Sequence, residues 1–193
     1  VTQRPTQTPT QAPAQKPIQN NSSTTEPTPV EPDGTPYLNS SGYYELRTAD
    51  DLFWFAEYVN SGNTSANAVL KNNINLNSRN WTPIGNNDTP YSGSFNGNGY
   101  RVSGVYCNVP NSDYVGFFGR SEGVISNLSV SGTIIGDDYV GGVVGYNWYG
   151  TVESCTNSGD VSGSNNIGGV VGCNAYGTVE SCINNGAVSG YYS

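Results

Sequence analysis

Histidine is absent from this chain. That removes the commonest general base and the commonest metal ligand, so any chemistry must come from cysteines, carboxylates or aromatic rings. The cysteines are Cys107, Cys155, Cys173 and Cys182, with no C-x-x-C spacing that would indicate zinc or a redox pair. Cys155 and Cys182 occupy the same place in two copies of one phrase and read as small buried hydrophobes in a shared column. Stacked near 4.8 Å they fall within the Cα range of a disulfide, but parallel side chains are poorly aimed at each other. Cys173 stands where the preceding copy has Tyr146, and Cys107 has no counterpart.

Among the carboxylates, Asp113 and Asp138 each precede a repeat-opening valine by two residues, and Asn165 takes that place in the next copy. With Asp137 they predict an acidic ladder along one edge. A Ca²⁺ ion could relieve the repulsion there, whereas a solvated corner needs none, and no G-G-x-G-x-D pattern occurs. Glu153 and Glu180 predict a second, outward-facing pair. A polysaccharide-cleaving enzyme would set basic groups beside them, and no Lys or Arg lies between Glu122 and Ser193. The reading is non-enzymatic, with no catalytic residue, cofactor or metal assigned. The aromatics are richer. Tyr146, Trp148, Tyr149 and Tyr176 fall at one corner of the repeat, and Tyr114, Tyr139, Tyr191 and Tyr192 at another. Such rings can stack on sugars or on each other, and the first four are the candidate ligand contacts.

The positioning elements follow from a doubled phrase. Residues 140–163 read VGGVVGYNWYGTVESCTNSGDVSG and residues 167–190 read IGGVVGCNAYGTVESCINNGAVSG, identical at 18 of 24 positions. A period of this size marks a repeat architecture. A degenerate copy, residues 115–136, aligns Gly123 with Gly150 and Gly177, Ile125 with Val152 and Val179, Leu128 with Cys155 and Cys182, and Ile134 with Val161 and Val188. Val102 and Val105 are expected to head the first two of these apolar columns. Apolar columns with glycine corners predict an all-β fold, a parallel right-handed β-helix (β-solenoid). It would have about six coils over residues 37–193 and a length on the order of 30 Å. Residues 49–60 form the one amphipathic helix. Thr48 is its N-cap, Asp50 and Asp51 sit in its first turn, and Leu52, Phe55, Ala56 and Val59 form one stripe, so it would cap the first rung. Residues 1–36, rich in Thr, Pro and Gln, cannot offset their ordering entropy and read as a disordered low-complexity stalk.

Charged residues are 11% of the chain and the net charge is −8, with basic residues scattered singly, so nucleic acid is not a partner. No apolar run is long enough to span a membrane. The chain begins at Val1 and contains no Met, and the last copy ends where another would begin. It is therefore expected to be a monomeric segment of something longer.

The run WTPIG…YSGSFNGNGYRVSGV and the copies VGGVVG…GTVESC…GDVSG and IGGVVG…GTVESC…GAVSG resemble the GLUG-motif repeat region of bacterial secreted and cell-surface proteins. The resemblance covers about residues 37–193. That repeat also accompanies immunoglobulin A1-specific metallopeptidases and adhesins, but their His-Glu-x-x-His zinc site has no match in a chain without histidine. The resemblance implies a non-catalytic, extracellular, adhesin-like module acting as spacer or interaction surface toward glycans or surface proteins. The alternatives are a carbohydrate-binding module built on the aromatic corner and, behind it, a polysaccharide-cleaving β-helix enzyme.

Overall fold

A computed structural model of the chain describes residues 34–190. Residues 1–33 of the expected stalk, and Tyr191 and Tyr192, lie outside the described residues. Strand β1 (Tyr43–Leu46) leads into helix α1 (Ala49–Asn60). Thr48 starts the helix by a reciprocal capping box. Asp51 N–H donates to Thr48 Oγ1 at 3.2 Å, and Thr48 N–H donates to Asp51 Oδ2 at 3.0 Å. Leu52, Phe55, Ala56 and Val59 are buried as the stripe requires, and the three larger ones each contribute roughly 1.5–3 kcal/mol.

The strands that follow are short because each ends at a corner. β2 (Asn67–Leu70) and β3 (Ile74–Asn75) form one coil, and β4 (Ser94–Asn96) and β5 (Arg101–Asn108) the next. Then come β6 (Phe118–Ser121), β7 (Val124–Ser126) and β8 (Ser129–Ile135). The first full repeat supplies β9 (Asp138–Gly141), β10 (Val144–Trp148), β11 (Thr151–Glu153), β12 (Thr156–Asn157) and β13 (Asp160–Gly163). The second supplies β14 (Asn165–Gly168), β15 (Val171–Ala175), β16 (Thr178–Glu180), β17 (Ile183–Asn184) and β18 (Val188–Gly190).

All strand pairs are parallel, and the largest face runs β1-β2-β4-β7-β11-β16. Six rungs make about five turns rather than six, roughly 24 Å between the first and last rung, because the first segment spends its residues on α1. One column crosses all of them: Tyr44, Ala68, Phe95, Ile125, Val152, Val179.

This corrects the expected heads of the columns. Phe95, not Val102, precedes Ile125, while Val102 pairs with Val130 and Val105 with Gly132. The turn between Phe95 and Arg101 is longer than its successors, and a bulge separates Val102 from Val105. Gly132 is required opposite that bulge: it adopts φ +149, and a Cβ there would strike the Val105 carbonyl. Cys107 therefore has a counterpart after all, heading the column Ile134, Val161, Val188.

The core is aromatic under the helix and aliphatic in the repeats. Phe55 meets Tyr91 and Phe95 with centroids at 6.3 and 6.0 Å, and Trp81 stacks on Phe117 at 4.8 Å. Asn60 pins the helix end to the next corner by donating to Pro83 O and accepting from Gly85 N–H. The helix thus covers the first rung. Two interior asparagine ladders hold the repeats together. Asn147 donates to Asn174 Oδ1 at 2.7 Å, Asn157 donates to Asn184 Oδ1 at 2.9 Å, and each also satisfies a turn carbonyl, Gly150 O or Gly159 O.

Candidate functional site

The aromatic residues assemble from the register. Val115 bridges Val140, which sets Tyr114 beside Tyr139, and the two rings stack at 5.1 Å with an interplanar angle of 8°. Tyr146 on β10 meets both edge-on, at 5.6 and 5.2 Å. This approach needs Gly145, where a Cβ would lie 2.6 Å from both Tyr139 O and Val115 N. Tyr146 then contacts Trp148 at 5.9 Å, Trp148 contacts Tyr149 at 6.1 Å, and Tyr149 stacks on Tyr176 at 5.1 Å. The two corners expected from sequence are one continuous flank of six rings. They were separated because their members sit on different strands, and the glycine approach that joins them is a tertiary feature.

The backbone under these rings is unusual. Tyr114, Tyr139, Tyr149 and Tyr176 have φ of 58, 57, 56 and 60°, the left-handed region that bulky side chains seldom adopt. Asn166 stands in the Tyr139 column with φ 51°, so the corner accepts an asparagine and does not demand a ring. Tyr149 is also one residue more than the preceding coil carries, since Tyr146, Asn147 and Gly150 stand over Arg120, Ser121 and Gly123. The extra residue loops outward, leaving Tyr149 66% exposed; Tyr176 lies in the last described coil, where the column residues Val179, Ile183 and Val188 are exposed as well.

Arg120 completes the flank and was not foreseen. It lies one rung from Tyr146, with its guanidinium 4.4 Å from the Trp148 ring centroid and 5.9 Å from that of Tyr146. It donates to Asn87 Oδ1 at 3.0 Å and to Glu122 Oε1 at 2.9 Å, while its Nε is buried without a partner. The available signal was the length difference between RSEG (120–123) and YNWYG (146–150), which shifts Arg120 opposite Tyr146 rather than Asn147. Burial raises the Tyr146 hydroxyl above its usual value despite the opposing pull of Arg120, so the phenol stays neutral and able to donate.

The remaining candidates form no second centre. Cys155 follows Leu128 and precedes Cys182 in one column, and all four thiols are free. Burial pushes the thiols of Cys107 and Cys155 up to about 11 and about 12. Cys173 stands opposite Tyr146. The acidic ladder exists: Asp138 N–H donates to Asp113 Oδ1 at 3.3 Å, and Asn165 Nδ2 donates to Asp138 Oδ1 at 2.7 Å. The amide of Asn165 thus answers Asp138, and Asp137 engages its neighbours through its backbone. Among the described residues no three His, Cys, Asp or Glu side chains converge to hold an ion. Glu153 and Glu180 are in register, and the ion pairs of the described residues lie elsewhere.

The GLUG motif matches residues 136–162, the coil from β9 to β13. A protein of Evansella cellulosilytica described as a Gly-rich membrane protein is 37% identical over 79 residues, 38% of this chain. The match covers 9% of the length of that curated relative. No solved structure matches. Neither likeness reaches the immunoglobulin A1-specific metallopeptidase context that the resemblance carried. Among the described residues no helix is long and apolar enough to cross a membrane. A GLUG repeat on a β-solenoid fits a repeat module of a surface or membrane protein.

Proposed function

We propose that this chain is a non-catalytic extracellular module of a larger bacterial surface protein, serving as a stiff spacer and as an adhesin-like interaction surface. The interaction surface is the flank of Tyr114, Tyr139, Tyr146, Trp148, Tyr149 and Tyr176, and its ligands are host or cell-wall glycans. The carrying observation is that Tyr114 and Tyr139 occupy a left-handed corner where Asn166 shows that asparagine suffices, and that Tyr149 and Tyr176 keep the same left-handed geometry at a second, exposed corner. Strain kept at an exposed ring is what a binding surface holds, because a packing role would not leave Tyr149, which has a further coil beyond it, mostly in solvent. Sugar rings present C–H faces that stack on such rings, and Asn87, Asp138 and Asn165 border the flank with groups that can hydrogen-bond hydroxyls. Arg120 holds Trp148 in place through its cation–π contact. The Thr/Pro-rich segment 1–36 would set this surface away from a neighbouring domain.

A glycan array probed with the chain and with Trp148→Ala tests the reading. Binding of a defined glycan class that falls with the substitution is the expected result, and binding indifferent to it sinks the proposal.

A further inference from the structure

A polar cleft of about 470 Å³ lies on another sheet, lined by Asn73, Gly99, Arg101, Ser103 and Ser129. Its cation is Arg101. Among the described residues Arg47 and Lys71 share Glu45, Arg79 pairs with Asp50 and Arg120 with Glu122, while Arg101 has no carboxylate partner. Only its backbone is engaged, with the N–H donating to Asn73 Oδ1 at 2.9 Å. Register explains where the side chain stands. Arg101 opens β5 opposite Ser129, and Ser129 lies opposite Thr156, while the adjacent Val102, Val130 and Asn157 are buried. Alternation therefore sends Arg101, Ser129 and Thr156 outward in one row, one rung apart. Gly99, at φ +77, has nothing within 4 Å of where a Cβ would be, which leaves the cleft open beside the guanidinium.

We infer that this cleft binds a saccharide bearing a single carboxylate, a hexuronate. The planar guanidinium of Arg101 presents two parallel N–H donors to a carboxylate. Ser103, Ser129 and the Asn73 amide nitrogen stand within the same cleft to meet sugar hydroxyls. A chain of net charge −8 repels densely charged polyanions at long range. The cleft therefore suits an isolated acidic sugar, not a heavily sulfated polymer. This site is separate from the aromatic flank, and either can fail without the other.

The test is amide NMR titration of the whole chain with methyl glucuronide, methyl glucoside and acetate. Methyl glucuronide should shift resonances of residues 99–103 and Ser129, with a Kd at least about tenfold below those of methyl glucoside and acetate. Arg101→Gln should raise that Kd about tenfold or more. Arg101→Lys should fall between, and Lys71→Gln, which removes the same charge elsewhere, should leave it unchanged. Arg101 is exposed, so the glutamine variant keeps the fold, which its unaltered spectrum away from the cleft would verify. Equal affinity for the glucuronide and glucoside, equal affinity for acetate, no shifts at the cleft, or indifference to Arg101→Gln would each overturn the inference.

Discussion

Replacing Tyr149 and Tyr176 together by asparagine should stabilise the fold while weakening ligand binding. Each tyrosine sits in the left-handed region, where a non-glycine residue costs about 1 kcal/mol or more and asparagine costs less. Relieving two corners therefore returns about 2 kcal/mol. The loss is one exposed ring pair, stacked at 5.1 Å, plus the contact to Trp148, together about 0.5–1 kcal/mol. The net gain is about 1 kcal/mol, or about 2–4 °C in Tm for a domain of this size. Urea unfolding followed by tryptophan fluorescence would measure it, and the same protein would be applied to the glycan that the wild type binds. A double variant destabilised by 1 kcal/mol or more would refute the reasoning, because the rings would then be structural packing rather than a display.

Three further outcomes follow from the same geometry. Asn157→Ala removes bonds to Gly159 N–H, Gly159 O and Asn184 Oδ1 at a buried position, and should cost about 2 kcal/mol in denaturant unfolding. The thiols of Cys107 and Cys155 stand at about 11 and about 12 against an ordinary value near 9. Their contribution is therefore complete below pH 9 and is lost as pH rises toward 12. Stability should fall there by up to about 1.4 kcal/mol per pH unit for each thiol, and Cys155→Val should reduce that slope in alkaline titrations. Thr48→Ala dismantles the capping box and should cost about 1 kcal/mol, seen as a lowered midpoint of thermal unfolding followed by circular dichroism.

The helix was legible to the residue because its determinants are local. Thr48, Asp51 and the stripe Leu52, Phe55, Ala56, Val59 lie within three turns and need no partner to be recognised. The columns from Ile125 to Val179 were legible because successive copies share their spacing. Register failed where spacing changed. The longer turn after Phe95 and the bulge opposite Gly132 moved Val102, Val105 and Cys107 into other columns. The candidate site was half legible. Tyr149 and Tyr176 stand out by recurring, and Tyr146 and Trp148 by lying beside them at positions where the copies differ, but the joining of Tyr114 and Tyr139 depends on the approach at Gly145. The Arg120 clamp depends on Tyr149 being an added residue. The asparagine ladders left a signal that repetition alone did not interpret: Asn147 and Asn157 recur as Asn174 and Asn184, and the burial of Asn147 and Asn157 is what shows that this pair faces inward.

The central claim is that the aromatic flank is where this module meets its ligand. Aromatic side-chain NMR of the chain with the glycan selected on the array tests it most directly. The account predicts shifts confined to Tyr114, Tyr139, Tyr146, Trp148, Tyr149 and Tyr176. Shifts at Tyr44, Trp54 and Tyr58 on the helical cap, with the flank silent, would contradict it.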